Sequence, residues 1–312
     1  SESGPPRNPR SAPAGGLRIL SFPDGPDHAL AFKFFQCLVI TGLPNILLLP
    51  KMIISDFHSF AFIHIPKNAG TTIRTQLSSI DDRNGFYAAR REDHRGLKRD
   101  YCHLTLSEIE QLFPEEFARL KCYTTFCLVR DPAARFEAAV AEYAKHYLRR
   151  DIATFSPRHR EYLVDDLIEK IDHFGASSLP CWLVWFTPQS AYIEHNDTQI
   201  LSHVFPTSKM TGATNLVYET TGISIDIQNR KNQRKNVDNE FARRIVVAGR
   251  ATKCILPKSG YMKIRKAAQN KILKPQDAAE HRPNRGIEKN LDFIKEFYSN
   301  DYRIWKAAQR TA

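Results

Sequence analysis

The fold of the chain is indicated most clearly by residues 60–72, which read FAFIHIPKNAGTT. The first six are apolar or aromatic apart from His64, as expected of a buried β-strand. Residues 66–70 are small or turn-forming apart from Lys67, and a helix-like stretch then continues to about Ile80. This order predicts a strand, a loop and a helix, with the loop at the carboxyl end of the strand.

Residues 123–147 repeat the same order. The run YTTFCLV at 123–129 is β-branched and aromatic, and Arg130 closes it. Asp131 followed by Pro132 is typical of a helix start, because aspartate caps the free N–H groups and proline fits the first helical position. We therefore expect a second strand that ends at Arg130 and a helix that reaches about Tyr147.

Further elements are indicated between and after these two units. Residues 105–108 (TLSE) form a capping box, which predicts another helix start. Additional helices are expected near 158–174, 237–249 and 287–299, and a short strand near 199–205. Strands that alternate with helices predict an α/β fold of three layers, in which helices flank a central parallel sheet.

The loop at 66–72 has the composition of an anion-binding site. It combines Lys67, small residues that let the backbone approach a ligand, and the hydroxyls of Thr71 and Thr72 at a helix start. It is not a Walker A sequence, because that motif places lysine directly after its last glycine, whereas Lys67 precedes Gly70 by three residues. The pattern therefore argues against an ATPase.

Two motifs resemble a known family. Residues 65–72 (IPKNAGTT) resemble the HIPK-x-[AG]-GT-[ST] loop of carbohydrate sulfotransferases that use 3'-phosphoadenosine 5'-phosphosulfate (PAPS), and residues 129–136 (VRDPAARF) resemble their VRDPxxRF motif. Weaker similarity continues at 187–190 (TPQS) and 300–302 (NDY). The resemblance spans roughly residues 60–307 and implies a P-loop-like fold.

The resemblance also implies roles for individual residues. Lys67 would contact the bridging oxygen of PAPS and stabilise charge on the departing 3',5'-bisphosphate, without a metal. Backbone N–H groups and two hydroxyls would hold the 5'-phosphate, and Arg130 would hold the 3'-phosphate. The residues expected to bind the cofactor are Lys67, Asn68, Ala69, Gly70, Thr71, Thr72 and Arg130.

One position departs from the family pattern. The family usually places a phosphate-binding serine eight residues after the arginine, where this chain has Ala138. One expected hydrogen bond to the nucleotide is therefore missing. On charge alone, the clusters Arg230-Lys231 and Arg234-Lys235 are candidates to compensate for it. Arg135, one turn along the helix, is expected to be structural.

The transfer reaction needs a base for the acceptor hydroxyl, and relatives use His or Glu. The helix after the loop carries no carboxylate over residues 73–80, which favours histidine. His103 stands two residues before the capping-box Thr105, in a segment (HLTLSEI) that resembles one in bacterial members of the family. A helix N-terminus disfavours imidazolium, so we expect a neutral His103 that accepts a proton. His94 is the second candidate.

Charge is unevenly distributed along the chain. The formal net charge is +11, yet residues 230–310 alone carry 21 basic and 8 acidic side chains, which leaves −2 for residues 1–229. A basic C-terminal third favours an anionic partner, such as a nucleotide or an acidic glycan. Nucleic acid is a weaker candidate, because no nucleic-acid-binding motif accompanies the charge.

The six cysteines include no CxxC pair, so no disulfide framework or metal site is indicated.

Residues 1–51 differ in character from the remainder. Residues 1–27 are rich in Pro, Gly and Ser, which is typical of a disordered leader, and residues 29–50 are apolar but interrupted by polar residues and proline. We interpret 52–312 as the sulfotransferase domain and leave open whether 1–51 is upstream sequence, a structural segment or an anchor. The bacterial cytoplasm is the expected location, and a Golgi-type, membrane-anchored enzyme is the alternative.

The functional expectation is a PAPS-dependent sulfotransferase that acts on a hydroxyl of a carbohydrate or glycoconjugate. Two alternatives stay open. One is a nucleotide-dependent kinase of P-loop type, against which the displaced lysine argues. The other is a non-catalytic protein that binds an anionic glycan on a degenerate sulfotransferase fold, which the alanine at 138 favours.

Overall fold

A computed structural model describes residues 52–88, 90–92, 98–227, 235–236, 274–275 and 285–311. Several sequence predictions lie outside these residues. They are the leader and apolar segment at 1–51, the second base candidate His94, the basic residues 230, 231 and 234, and the helix expected at 237–249.

The described residues form strands and helices in alternation. The strands are β1 (Ile53–Ser55), β2 (Phe60–Ile63), β3 (Arg90–Glu92), β4 (Lys98–Asp100), β5 (Thr124–Val129), β6 (Glu194–His195), β7 (Thr198–Gln199), β8 (His203–Pro206), β9 (Lys235–Asn236) and β10 (Lys274–Pro275). The α-helices are α1 (Gly70–Gln76), α2 (Leu106–Leu112), α3 (Pro114–Cys122), α4 (Pro132–His146), α5 (Pro157–Phe174), α6 (Thr211–Thr221), α7 (Arg285–Lys289), α8 (Leu291–Phe297) and α9 (Ser299–Thr311).

Within the described residues, the central sheet has four strands in the order β1-β2-β5-β8. Strands β2, β5 and β8 are parallel, with Phe62 opposite Phe126 and Cys127 opposite Val204. Strand β1 is antiparallel to β2 and joins it through the short turn at 56–59, a connection that only antiparallel strands allow. The predicted α/β fold with a central parallel sheet is confirmed, with one antiparallel edge strand that the sequence pattern did not indicate.

The predicted helix starts are confirmed in atomic detail. Asp131 caps α4 by accepting a hydrogen bond from the backbone N–H of Ala134 at 2.8 Å. Thr105 and Glu108 form the reciprocal capping box of α2. Some boundaries differ from prediction: α1 ends at Gln76 before a short 3₁₀ turn, and the helix expected over 287–299 is divided among α7, α8 and the start of α9.

Successive residues of a strand point to opposite sides of the sheet, so both faces carry apolar side chains. Helices cover both faces. On one face, Phe62 and Phe126 pack with residues of α1 and α6. On the other face, Ile63 and Cys127 pack with residues of α2, α3 and α9. A third hydrophobic cluster joins α4, α5, α7 and α8. No helix within the described ranges is both long enough and apolar enough to cross a membrane.

Candidate functional site

The loop between β2 and α1 has an unusual backbone. Lys67 and Ala69 adopt left-handed conformations, with φ of 67° and 58°, which non-glycine residues seldom occupy. Ala69 is the N-cap of α1 and offers no side-chain cap. The loop therefore turns sharply at the carboxyl end of β2 and presents the first turn of α1, including the partly exposed Thr71 and Thr72, at that edge of the sheet.

Gly70 is required by a close contact. A Cβ atom added at this position would lie 2.2 Å from Cδ2 of His64, far inside van der Waals contact. The His64 ring, at the end of β2, is buried and packs against the first residue of α1. The absence of a side chain at position 70 thus lets the helix start approach the strand that precedes it.

Lys67 forms an ion pair with a residue that the sequence analysis did not single out. Its Nζ lies 2.9 Å from Oε2 of Glu142, in the fourth turn of α4, and both side chains retain about a quarter of their exposure (26% and 28%). Burial raises the pKa of Glu142, but the charges of Lys67, Lys145 and His146 together outweigh that effect, and the pKa lies below its usual range. Glu142 is therefore ionised at neutral pH.

Asn68 braces the loop from inside. Its side chain is buried, and its Nδ2 donates to the backbone oxygen of Leu128 and to Oε1 of Gln189, each at 2.7 Å. These bonds fasten the loop to the end of β5. Because the amide is used in this way, the backbone N–H is the group of Asn68 left for the predicted contact with a phosphate.

Arg130 is held by the side chain of Gln189. The Nε2 of Gln189 donates to the Arg130 carbonyl at 2.9 Å, and its Oε1 accepts the Arg130 backbone N–H at 3.0 Å. Gln189 is completely buried. One side-chain amide thus fixes the backbone at Arg130 and also contacts Asn68, so it couples the two predicted anion-binding elements.

Asp301, at the start of α9, fixes Gln189 in turn. Its carboxylate accepts the backbone N–H groups of Gln189 at 2.7 Å and Ser190 at 2.8 Å. Burial raises the pKa of Asp301, while the positive charge of Arg135 acts in the opposite direction. The weakly similar segments at 187–190 and 300–302 are therefore in contact, and they support the ends of β2 and β5.

Arg135 has the structural role expected of it. The side chain is buried, and its Nε donates to the Pro66 carbonyl at 3.1 Å. Its Nη2 donates to the carbonyls of Trp185 at 3.2 Å and Thr187 at 2.6 Å. Arg135 therefore ties α4 to the first residue of the loop and to the segment that carries Gln189.

His103 lies beside this loop, on the last residue of a short 3₁₀ helix. Its Nδ1 is 3.3 Å from the backbone oxygen of His64, and the two rings are 5.3 Å apart. A carbonyl only accepts hydrogen bonds, so Nδ1 carries the proton and a neutral ring keeps a lone pair on Nε2. Tyr192 donates its hydroxyl to the His103 carbonyl at 3.3 Å. The structure thus places the first base candidate beside the loop, with its side chain buried.

Ala138 occupies the face of α4 that is turned toward the loop. It lies between Arg135 and Glu142, which contact Pro66 and Lys67, and residues spaced by three and four share one side of a helix. Position 138 therefore faces the loop, but its side chain offers only a methyl group. Of the compensating basic residues proposed from charge, Arg230, Lys231 and Arg234 lie outside the described residues, and Lys235 begins β9.

Comparison with known proteins assigns this part of the chain. Residues 50–169 match the sulfotransferase family. The predicted resemblance is thereby confirmed over the segment that contains Lys67, His103 and Arg130. Searches of curated proteins and of solved structures found no match.

Two residues beyond the matched segment contribute contacts to the candidate site. Gln189 and Asp301 follow the matched segment in sequence, yet they hold Arg130 and Asn68 in place. Within the described residues, no group of three or more His, Cys, Asp or Glu side chains is arranged to hold a metal ion.

Proposed function

We propose that this protein is a sulfotransferase that takes its sulfuryl group from PAPS and transfers it to a hydroxyl of a carbohydrate or glycoconjugate. One observation carries the proposal. Lys67 and Arg130 lie in the loops that follow two adjacent parallel strands, and the Asn68–Gln189–Arg130 hydrogen bonds fix these loops to one another. A lysine and an arginine at neighbouring strand ends suit a nucleotide with separate phosphate groups, because ligands of open α/β sheets bind at that edge.

Lys67 and His103 have different roles in the proposed transfer. PAPS supplies the sulfuryl group and leaves as the 3',5'-bisphosphate. The acceptor oxygen forms a bond to sulfur while the bond from sulfur to the bridging phosphate oxygen breaks. Lys67 neutralises the charge that develops on the departing oxygen, and Nε2 of His103 accepts the proton of the acceptor hydroxyl.

The site residues fit this nucleotide with one exception. The sharply turned loop, the hydroxyls of Thr71 and Thr72, and the guanidinium of Arg130 are of the types that bind phosphate. Ala138 supplies no hydrogen bond where the family has serine. We therefore expect the 3'-phosphate to depend on Arg130 more strongly than in relatives that have the serine.

A second candidate is a non-catalytic protein that binds an anionic glycan on the same fold. The alanine at position 138 favours it, as does the charge of the C-terminal third. This protein would bind a sulfated oligosaccharide without binding the bisphosphate. A kinase is disfavoured, because Lys67 is displaced from the Walker A position.

Transfer of labelled sulfate from PAPS to a panel of desulfated glycosaminoglycans and simple oligosaccharides tests the proposal. We expect sulfation of at least one acceptor class. In the Lys67→Ala variant, kcat should fall by about 10²–10³, the usual effect of removing a group that stabilises transition-state charge.

The matched control is Lys295→Ala, which removes an exposed lysine of α8 that pairs only loosely with Asp292. It should keep wild-type turnover, and both variants should keep the wild-type melting temperature. Unchanged turnover in Lys67→Ala would remove Lys67 from the mechanism.

A further inference from the structure

The ion pair between Lys67 and Glu142 occupies the functional group on which the proposed reaction depends. Nζ of Lys67 is bonded to the carboxylate at 2.9 Å, and this is a contact across 75 residues of sequence. An ammonium group held by a carboxylate is neutralised. It must leave that carboxylate before it can act fully on a phosphate or a sulfuryl group.

The backbone of Lys67 and that of Glu142 are held in place, while both side chains are partly exposed. Lys67 stands in a left-handed loop conformation fastened by Asn68 and by Arg135, which bonds to Pro66. Glu142 projects from α4, whose first turns are anchored by the buried Arg135. About a quarter of each side chain is exposed, so rotation of the two side chains is enough to separate the pair.

Two basic side chains besides Lys67 act on the Glu142 carboxylate. Lys145 lies 3.9 Å from its Oε1, and His146 acts on the same carboxylate. When Lys67 moves away, the carboxylate keeps these neighbours and remains partly exposed to water. Release of the lysine therefore leaves no buried unpaired charge, which is the costly outcome when a buried ion pair is broken.

We propose that Glu142 is a positioning residue that holds Lys67 in the nucleotide-free enzyme and hands it over to the incoming donor. The handover rests on the proposed function, since it concerns the same site. Glu142 lies one turn after Ala138 on α4. On this face of the helix, the carboxylate of Glu142 competes with the nucleotide for Lys67, and Ala138 contributes no hydroxyl to the nucleotide.

The competition has a measurable consequence for binding. Breaking a partly exposed ion pair costs little, and removing a negative charge near an anionic ligand adds a further gain. We expect Glu142→Gln to bind 3'-phosphoadenosine 5'-phosphate about three- to tenfold more tightly than the wild type. Glu115→Gln is the matched control, because it removes an exposed carboxylate from α3 and should leave affinity unchanged.

Titration calorimetry of the full chain and its two variants gives the affinities. A second readout reports on Lys67 itself: competitive amine labelling followed by peptide mass spectrometry. Lys67 should be labelled more slowly in the wild type than in Glu142→Gln, with lysines remote from Glu142 unaffected and melting temperatures equal. A structural role alone would change the melting temperature and leave the labelling rate of Lys67 at the wild-type value.

The outcomes separate the two claims. Tighter binding together with faster labelling in Glu142→Gln supports the handover. Equal bisphosphate affinities in wild type and Glu142→Gln would refute the handover and leave the proposed function intact. Absence of bisphosphate binding to both proteins would refute the proposed function and the handover with it.

Discussion

Lys67 and Gly70 are subject to different steric constraints in the same loop. Lys67 keeps a long side chain in a left-handed conformation, which costs an L-residue roughly 1–2 kcal/mol. Gly70 has ordinary helical geometry and yet tolerates no side chain, because the His64 ring occupies the space. The glycine of the motif is therefore explained by packing, and the lysine by the chemistry proposed for it.

Gly70→Ala should destabilise the protein by about 1–3 kcal/mol, since the new methyl group must displace His64. Urea unfolding measures this change. Ala69→Gly is the matched substitution one residue earlier, and it should be neutral or slightly stabilising because φ at position 69 is 58°. A Gly70→Ala protein as stable as the wild type would contradict the packing account.

His103→Asn tests the base at the same scale. Asparagine keeps an N–H donor for the His64 carbonyl but has no group that accepts a proton at neutral pH. We expect kcat to fall by about 10²–10⁴, with the KM for the donor little changed. Steady-state kinetics with PAPS and the preferred acceptor provide the measurement. Near-normal turnover would transfer the role to another residue, with His94 the next candidate.

At the scale of elements, the site depends on contacts that local sequence patterns do not reveal. The strand, loop and helix of each motif follow from residue periodicity, the capping pairs and the turn residues, and these elements form as predicted. Gln189 and Asp301 are 112 residues apart, and their bond is a product of tertiary folding. Resemblance of their short segments to family motifs was the only signal that pointed to them.

Glu142 was missed for a different reason. A carboxylate was expected on the helix after the loop, α1, whereas the residue that contacts Lys67 is on α4. The helical spacing does indicate where Glu142 lies. It is four residues after Ala138 and seven after Arg135, so it shares their face of the helix. Antiparallel β1 likewise depends on pairing with β2, which three residues of sequence do not specify.

Gln189→Ala is the prediction that belongs to this scale. The substitution leaves the N–H and carbonyl of Arg130 and the amide of Asn68 without their buried partner, at about 1–3 kcal/mol for each group left unsatisfied. We expect a clear fall in the free energy of unfolding and weaker bisphosphate binding. Gln111→Ala, which removes an exposed glutamine side chain from α2, serves as the control for chemical denaturation and calorimetry. Equal stability of the two variants would contradict the bridging role of Gln189.

At the scale of the whole molecule, the family match and the folded unit have different extents. The match covers residues 50–169, while α9 packs Ile304 and Ala308 against the same sheet face as α2 and α3. Asp301 on that helix then reaches the site through Gln189. The C-terminal helix is therefore part of the architecture that holds Arg130, although it lies far from the motifs in sequence.

The central claim is that this architecture binds a nucleotide with a 3'-phosphate. Calorimetric titration of the full chain with 3'-phosphoadenosine 5'-phosphate, beside Mg-ATP and ADP, tests it most directly, with Arg130→Ala as the control. We predict selective binding of the bisphosphate that Arg130→Ala abolishes or greatly weakens. Failure to bind it, or a preference for Mg-ATP, would contradict the claim.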